Sequence, residues 1–184
     1  MSNIEIRDVS EQDFERIVEL NLAEVAHTST MSIEDVARLH AISAYHRVIM
    51  FDDIIAGFLL AMGPKSPYIN DNYAWFKVHY PSCMYIDRIV LDAEYQGKRL
   101  GQLLYQDLFS WTQEQNVIHV VCEYNVMPPN LPSAKFHQRL GFKEVGFQWL
   151  PLNKSSTATL TTDDEINVKT YKKVSMQCCD LSRC

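Results

Sequence analysis

One segment near the middle of the chain limits the fold more than any other: YIDRIVLDAEYQGKRLGQLLYQDLFSW, residues 85–111. Its apolar run predicts a buried strand over residues 83–91, and leucines at helical spacing predict an amphipathic helix that ends near Gln115. A short polar turn with Gly97 and Gly101 connects them. Such a turn aims backbone N–H groups and the positive end of a helix dipole at one point, which suits phosphate or pyrophosphate. An ordinary strand–turn–helix connection would have the same pattern, since GxxxxGK[ST] and GxGxxG are both absent.

A second informative segment is CEYNVMPPNLPSAKFHQRLGFKEVG, residues 122–146. It follows a predicted strand over residues 116–124 and contains a turn rich in Asn and Pro. A short helix is predicted from about Ser133 to Leu140, closed by Gly141. On spacing alone, Asn130 is interpreted as a helix cap and His137 as a surface residue of that helix.

The rest of the chain alternates between strand and helix patterns. Strands are predicted over residues 3–9, 142–150 and 165–176, and a hairpin over 47–62. Helices are predicted over residues 10–26 and 32–44, with Ser10 and Ser32 at their starts. Residues 63–82 combine Gly63, three prolines and several aromatic residues, and are predicted to form a long loop. Its aromatic residues suit a substrate pocket or the edge of a core. The element order predicts a mixed α/β domain.

Charge and composition exclude several classes of function. The net charge is −6, from 17 Lys+Arg against 23 Asp+Glu, and no basic stripe occurs, which disfavours nucleic-acid binding. The longest apolar stretch, residues 54–62, is the size of a strand and predicts no membrane span. The first residues lack the apolar core of a signal peptide, and five cysteines are an odd number. A cytoplasmic chain with free thiols is predicted, with no metal at the tail CCDLSRC because no His accompanies it.

Taken together, the two segments resemble the GCN5-related N-acetyltransferase (GNAT) family. That family's signature is a strand, Q/R-x-x-G-x-G/A, a helix, a strand, and a second helix ending in (F/Y)xxLGF, and residues 84–147 match it. CEYN, PPN, FH and LGFKEVG are similar to a group of bacterial predicted acetyltransferases of unassigned substrate. The resemblance implies a GNAT-like mixed, mostly antiparallel central sheet of about seven strands flanked by about four helices.

The resemblance also implies a single acetyltransferase-like domain over residues 1–184. Residues 1–82 would be its acceptor-side half, and 83–150 its acetyl-CoA-binding core. Residues 151–176 would form a loop and the last strand, and 177–184 a Cys-containing tail.

The same resemblance implies a set of coenzyme A contacts. Backbone amides of one turn would wrap the pyrophosphate, namely those of Gln96, Gly97, Lys98, Arg99, Leu100 and Gly101. Three strand residues would pair with the pantetheine amides, namely Ile89, Val90 and Leu91. Asn130 would hydrogen-bond the pantetheine arm. The helix that starts near Ser133 would flank that arm, with Phe136 in apolar contact.

Two positions depart from the family pattern. Arg99 occupies the place of the central glycine, so its side chain must either point outward or contact phosphate itself. His137 occupies the place where many members have a tyrosine that protonates the leaving thiolate. A histidine can serve as a general acid, or it can be structural or bind pantetheine.

The carboxylates that could act as general base are Asp87 and Glu123, directly or through water. Asp87 could equally form an ion pair with Arg88. A backbone N–H of the strand, that of Leu91, would polarise the thioester carbonyl.

The function implied is a cytosolic N-acetyltransferase that moves an acetyl group from acetyl-CoA to a primary amine of a small molecule or protein, without a metal. The alternative is an acyl-CoA-binding sensor or scaffold domain, which Arg99 and the missing tyrosine keep open. Acceptor contacts are expected near residues 27–32 and 63–82. Acidic and aromatic residues there suit a cation or a plain surface, namely Glu34, Asp35, Asp71, Tyr73 and Trp75. Family members are often dimers, so a homodimer is also expected.

Overall fold

The structure is a computed structural model that describes residues 2–24, 29–152 and 171–183. The chain divides into two compact units. The first comprises Met1–Val120 and Asp180–Cys184, and the second comprises Val121–Cys179.

The first unit has an antiparallel sheet with helices packed on it. Its strands lie in the order β1 (Ile4–Asp8), β2 (Tyr45–Phe51), β3 (Ile54–Met62) and β4 (Cys83–Leu91). Its helices are α1 (Phe14–Ala23), α2 (Ile33–Ile42), α3 (Asp71–His79) and α4 (Leu100–Glu114). Phe14, Ile17 and Leu20 of α1 join Val36 of α2 in one buried cluster with residues of β2–β4.

The second unit contains most of β5 (His119–Met127), α5 (Leu131–Arg139), β6 (Lys143–Pro151) and β7 (Tyr171–Asp180). β7 lies between β5 and β6, and it pairs antiparallel with β6. The described residues thus form seven strands and five α-helices, which confirms the predicted mixed, mostly antiparallel α/β class.

Serine caps start the first two helical segments, as the sequence predicts. Ser10 and Ser32 each begin a capping box, closed by Asp13 and Asp35 respectively. Ser10 is followed by a single 3-10 turn, and α1 then ends at Ala23, before the predicted end at residue 26.

The predicted loop over residues 63–82 is wrong in part, because α3 occupies its second half. Asn70 caps this helix by accepting hydrogen bonds from the N–H groups of Asn72 and Tyr73. Tyr73 and Phe76 are fully buried and contact the ring of Tyr85 on β4. These two aromatic side chains therefore seal a core rather than line a pocket.

Two strands of the second unit are shifted from their predicted positions. β5 starts at His119 and ends at Met127, three residues later than predicted. β7 ends at Asp180, so Cys178 and Cys179 lie in a strand, and residues 165–170 of the predicted strand lie outside the described residues. None of the helices that the structure describes has the length and apolar character needed to cross a membrane.

Candidate functional site

The end of β4 comes unusually close to β3, and Gly57 makes this approach feasible. A Cβ atom at Gly57 would lie 2.5 Å from Cδ2 of Leu91 and 2.6 Å from the carbonyl oxygen of Val90. Just beyond the strand, the N–H of Asp92 donates to the carbonyl of Ala56 at 2.9 Å. Only glycine at position 57 therefore lets the last residues of β4 lie this close to β3.

The turn after β4 is anchored by Asp92. Its Oδ2 accepts from the Nη2 of Arg16 at 2.5 Å, and its Oδ1 accepts from the N–H of Glu94 at 3.0 Å. The Glu94 N–H, with the Arg16 guanidinium, holds the pKa of Asp92 below its usual value. Tyr95 in the same turn contacts the ring of Phe51, with a centroid distance of 5.3 Å. These contacts hold the first residues of the turn, Asp92 to Tyr95, in place.

Gly97 and Arg99 are the two residues of QGKRLG with positive φ. Both have left-handed backbones, with φ of 78° and 64°. A Cβ atom at Gly97 would meet no other atom within 4 Å, so open space lies beside this backbone. Arg99 is the N-cap of α4, a helix of 15 residues, and no side chain caps it. The N–H groups of the first turn of α4 are therefore available to a ligand.

The two basic side chains of this turn have different surroundings. The Nζ of Lys98 lies 5.0 Å from the centroid of the Phe51 ring, a cation–π contact. The guanidinium of Arg99 is exposed and forms no ion pair or hydrogen bond with any residue that the structure describes. Arg99 therefore has a left-handed backbone, which glycine adopts most readily, and adds a positive charge that has no partner among the described residues.

Asp87 lies at a bulge of β4. The pairing with β3 passes from Leu60↔Arg88 to Ala61↔Ile86, which leaves Asp87 as the extra residue. Its Oδ1 accepts from the hydroxyl of Tyr68 at 2.5 Å, and its Oδ2 pairs with the Nε of Arg88 at 2.7 Å. The Asp87 and Arg88 side chains are only 4% and 8% exposed. Of the two interpretations left open for Asp87, this geometry favours the ion pair.

Arg88 extends the same network to α1. Its Nη1 donates to Oδ1 of Asn21 at 2.9 Å and to the carbonyl of Ser29 at 3.1 Å. The Nδ2 of Asn21, a residue 1% exposed, donates to the same Ser29 carbonyl at 2.8 Å. Sequence reasoning missed Tyr68 and Asn21, because neither lies in a motif and each meets its partner only through the fold.

In the second unit, Asn130 caps α5 and His137 is buried. The Oδ1 of Asn130 accepts from the N–H of Ser133 at 3.1 Å, which agrees with the interpretation of Asn130 as a helix cap. The surface interpretation of His137 is wrong: it is 5% exposed, and its ring stacks on Tyr124 and meets the edge of Phe142. Its Nδ1 lies 2.8 Å from the carbonyl of Ser133. Burial lowers the pKa of His137 to about 4, so the imidazole is neutral at pH 7.

The other two candidates of the second unit are half-buried. Glu123 lies on β5 beside Cys122, and Phe136 lies on α5, where its ring meets that of His137. Burial, reinforced by the charge of Glu123, raises the pKa of the Cys122 thiol.

Three of the five acidic and aromatic residues expected near an acceptor make local structural contacts in the first unit. Asp35 accepts from the N–H of Ser32 at 3.1 Å and so closes the capping box of α2. Trp75 stacks on His79 with a centroid distance of 3.8 Å, and the hydroxyl of buried Tyr73 donates to the carbonyl of Gly63. Glu34 and Asp71 are exposed in the first turns of α2 and α3. No group of three or more metal-binding side chains occurs in the described part of the chain.

Comparison with known proteins agrees with the geometry of the β4–α4 segment. The model of the acetyltransferase (GNAT) family matches residues 14–142. No curated protein matches the sequence.

Several solved structures have a similar fold. The ribosomal-protein-S18-alanine N-acetyltransferase of Escherichia coli has a TM-score of 0.66 at 13% identity, over 97% of this chain and 94% of that one. The protein yncA from Salmonella typhimurium, solved with its cofactor acetyl-CoA, has a TM-score of 0.65 at 16% identity, over 97% and 94%. Naa20 from Chaetomium thermophilum, in complex with a bisubstrate analogue, has a TM-score of 0.69 at 14% identity, over 97% and 87%. At these identities the likeness concerns the fold.

Proposed function

Because this chain belongs to the acetyltransferase (GNAT) family, we propose that it transfers an acetyl group from acetyl-CoA to a primary amine of a small molecule or a protein. The observation that carries the proposal is the turn of residues 96–101 at the uncapped start of α4. It combines two left-handed backbones, free N–H groups and an unpaired guanidinium in one short segment.

This turn fits the pyrophosphate of coenzyme A. The open space beside Gly97 lets a ligand approach the backbone, and a Cβ atom there would occupy that space. We assign the pyrophosphate to the N–H groups of residues 96–101, with the Arg99 guanidinium as an additional contact. A charge-assisted hydrogen bond from Arg99 would compensate for its left-handed backbone.

The end of β4 has the role of holding the pantetheine arm and the thioester. In this proposal Ile89, Val90 and Leu91 bind the pantetheine amides with their backbone groups. The amine attacks the thioester carbonyl of acetyl-CoA, and the N–H of Leu91 polarises that carbonyl. The close contact between β3 and β4 at Gly57 holds the backbone groups of residues 89–91 in position before the substrate binds. Less free energy is then needed to orient them in the transition state.

The candidates for proton transfer are Asp87, Glu123 and His137. Both oxygens of Asp87 already accept hydrogen bonds, so we assign it to positioning and Glu123 to proton removal from the amine, directly or through water. His137 is neutral and buried against aromatic rings, and we assign it to the support of α5. The Nδ2 of Asn130 has no partner among the described residues and is assigned to the pantetheine arm, beside Ser133 and Phe136.

The first experiment is a calorimetric titration with acetyl-CoA of the intact protein and two glycine variants. Gly97→Ala and Gly141→Ala both force alanine into a left-handed backbone, with φ of 78° and 88°, so they share that strain. We expect micromolar binding by the intact protein and by Gly141→Ala, and at least tenfold weaker binding by Gly97→Ala. Equal binding by the two variants would remove the turn from the site, and no binding by the intact protein would remove the function.

A second function, an acyl-CoA-binding domain without catalysis, is favoured by two observations. Asp87 is held in an ion pair, and His137 is neutral and buried. Thiol release from acetyl-CoA over a broad panel of amines separates the two functions. Release with at least one amine supports transfer, whereas binding without release from any amine supports the sensor or scaffold.

A further inference from the structure

The second unit contains a cavity of about 370 Å³ that the proposed function does not use. It is lined by α5, β5, β6 and β7, and its lining includes Tyr124, Leu131, Lys135, Phe142, Glu144 and Gln177. At about 30 Å³ for each water of the liquid, this volume equals that of roughly a dozen water molecules. A ligand of about ten non-hydrogen atoms therefore fits.

A buried serine fixes the polar side of this cavity. Ser175 is fully buried, and its Oγ lies 2.6 Å from Oε2 of Glu144 and 2.7 Å from Nε2 of Gln177. A carboxylate can only accept, so the Ser175 proton must be donated to Glu144. Ser175 must then accept from Gln177, which orients the amide NH₂ of Gln177 toward the serine and its carbonyl oxygen away from it.

The cavity is therefore lined by two acceptors that are not satisfied. Gln177 is only 3% exposed, and its carbonyl oxygen accepts no hydrogen bond from the residues that the structure describes. Glu144 is an exposed residue; its second carboxylate oxygen has no donor, and no cation pairs with it, among the residues that the structure describes. Both oxygens are therefore available to a hydrogen-bond donor that enters the cavity, either water or a ligand.

The polar and aromatic side chains that line the cavity indicate which class of ligand would bind there. Two oxygen acceptors, one of them charged, favour a cation that carries several N–H donors. Tyr124, Phe142 and Leu131 give contact for an apolar body, and the aromatic faces also attract a cation. Lys135 lies at the exposed side and forms no ion pair with Glu144, so it does not occupy the acceptors itself.

We propose that this cavity is a binding site for a small primary ammonium ion with an apolar body, whose ammonium group contacts Glu144 and Gln177. The ligand has the chemical class of the proposed acceptor. The site is nevertheless defined by residues of the second unit alone, and its test needs no acetyl-CoA and no turnover. Failure of one proposal therefore leaves the other unaffected.

The experiment is a titration of the intact protein with 2-phenylethylamine and with its neutral analogue 2-phenylethanol, followed by calorimetry. Two variants accompany it, Glu144→Gln and the matched control Glu15→Gln, an exposed glutamate of α1. A glutamine at 144 still accepts from Ser175 but lacks the charge. We expect saturable binding of the amine, none of the alcohol, about tenfold weaker amine binding by Glu144→Gln, and no change in Glu15→Gln.

Three results would overturn the site: no saturable amine binding by the intact protein, equal binding of amine and alcohol, or equal amine binding by the two variants. If Glu144→Gln does not fold, which its thermal unfolding curve will reveal, the comparison of amine with alcohol on the intact protein still decides.

Discussion

At the scale of single residues, Arg99 combines an unfavourable backbone with an unpaired charge. A non-glycine residue in the left-handed region costs about 1–2 kcal/mol. The resemblance to the family already implied that Arg99 stands in the place of a glycine. Its left-handed backbone, and its lack of a partner among the described residues, became known only from the fold.

Replacing Arg99 by glycine should therefore separate stability from binding. We expect Arg99→Gly to raise the free energy of unfolding by about 1 kcal/mol, because the left-handed backbone no longer carries a Cβ atom. Acetyl-CoA should bind roughly tenfold more weakly, because a phosphate contact is lost. Urea unfolding and calorimetry measure the two effects. Unchanged affinity would mean that the guanidinium points away from the phosphates.

The Asp87–Arg88 pair is the most buried ion pair of the described residues. Asp87→Asn should lower the free energy of unfolding by about 3 kcal/mol, because Arg88 keeps its charge in a buried place. Tyr68→Phe, which removes only a hydroxyl, should lower it by about 1 kcal/mol. Urea unfolding of both variants provides the comparison.

The same variant tests the assignment of the general base. Since we assign proton removal to Glu123, the acidic limb of the pH–kcat profile should persist in Asp87→Asn and be lost in Glu123→Gln. Loss of that limb in Asp87→Asn would make Asp87 the base.

His46 on β2 is a second buried histidine, and its surroundings make stability depend on pH. Burial, with the nearby His40, lowers the pKa of His46 to about 3, and its Nε2 has no hydrogen-bond partner among the described residues. The unfolded chain binds this proton near pH 6.5, whereas the folded chain does so only near pH 3. The contribution of His46 is therefore complete above about pH 6.5 and is lost as the pH falls toward 3.

We expect the free energy of unfolding to fall between pH 7 and pH 4, and His46→Phe to reduce that slope. Phenylalanine fills the site between His40 and Phe58 without a titrating group. Denaturant unfolding at a series of pH values gives the slope. His137 has a similar shift and will keep part of the dependence, so an identical slope in the variant would contradict the assignment.

At the scale of elements, the contact between β3 and β4 depends on Gly57. Gly57→Ala places a Cβ atom against Val90 and Leu91, and the strands must separate. We expect a loss of about 1–3 kcal/mol in the free energy of unfolding and weaker binding of acetyl-CoA, because residues 89–91 move. A companion variant, Leu91→Ala, removes one clashing side chain but not the Val90 carbonyl, so the double variant should recover little binding. Full recovery would show that only the side chain matters.

Sequence patterns predicted elements well where local signals were strong. The caps at Ser10, Ser32 and Asn130 and the helix after Gly97 are set by residues close together in the chain. Helix α3 was missed because its buried side chains, Tyr73 and Phe76, do not produce an apolar helical face and its flanks are rich in Gly and Pro.

The interactions around Asp87 could not be predicted from spacing. Tyr68 lies 19 residues from Asp87, and Asn21 lies 67 residues from Arg88. Only the packed sheet and α1 bring them together, and no local pattern encodes that distance. Local sequence patterns therefore identify the turn to which we assign the pyrophosphate, but not the contacts that surround the candidate general bases.

At the scale of the whole molecule, the reactivity of the buried cysteine thiols distinguishes the folded from the unfolded protein. Cys83, Cys122, Cys178 and Cys179 are buried and form no disulfide among the described residues, and burial raises the pKa of the Cys122 thiol. We expect these four to resist alkylation in the native protein and to react in denaturant, because a buried thiol is rarely ionised or accessible. Mass spectrometry of alkylated peptides identifies each site. Rapid labelling of any of the four in the native protein would contradict the burial described here.

The uncapped start of α4 also makes binding measurable by amide hydrogen exchange. Its first amide hydrogens have neither a carbonyl within the helix nor a capping side chain, so in the free protein they should exchange with solvent deuterium quickly. An anion held by those amides would slow that exchange. The rate of deuterium uptake at residues 100–102 thus reports the fraction of time for which the site is occupied, even when no product is formed.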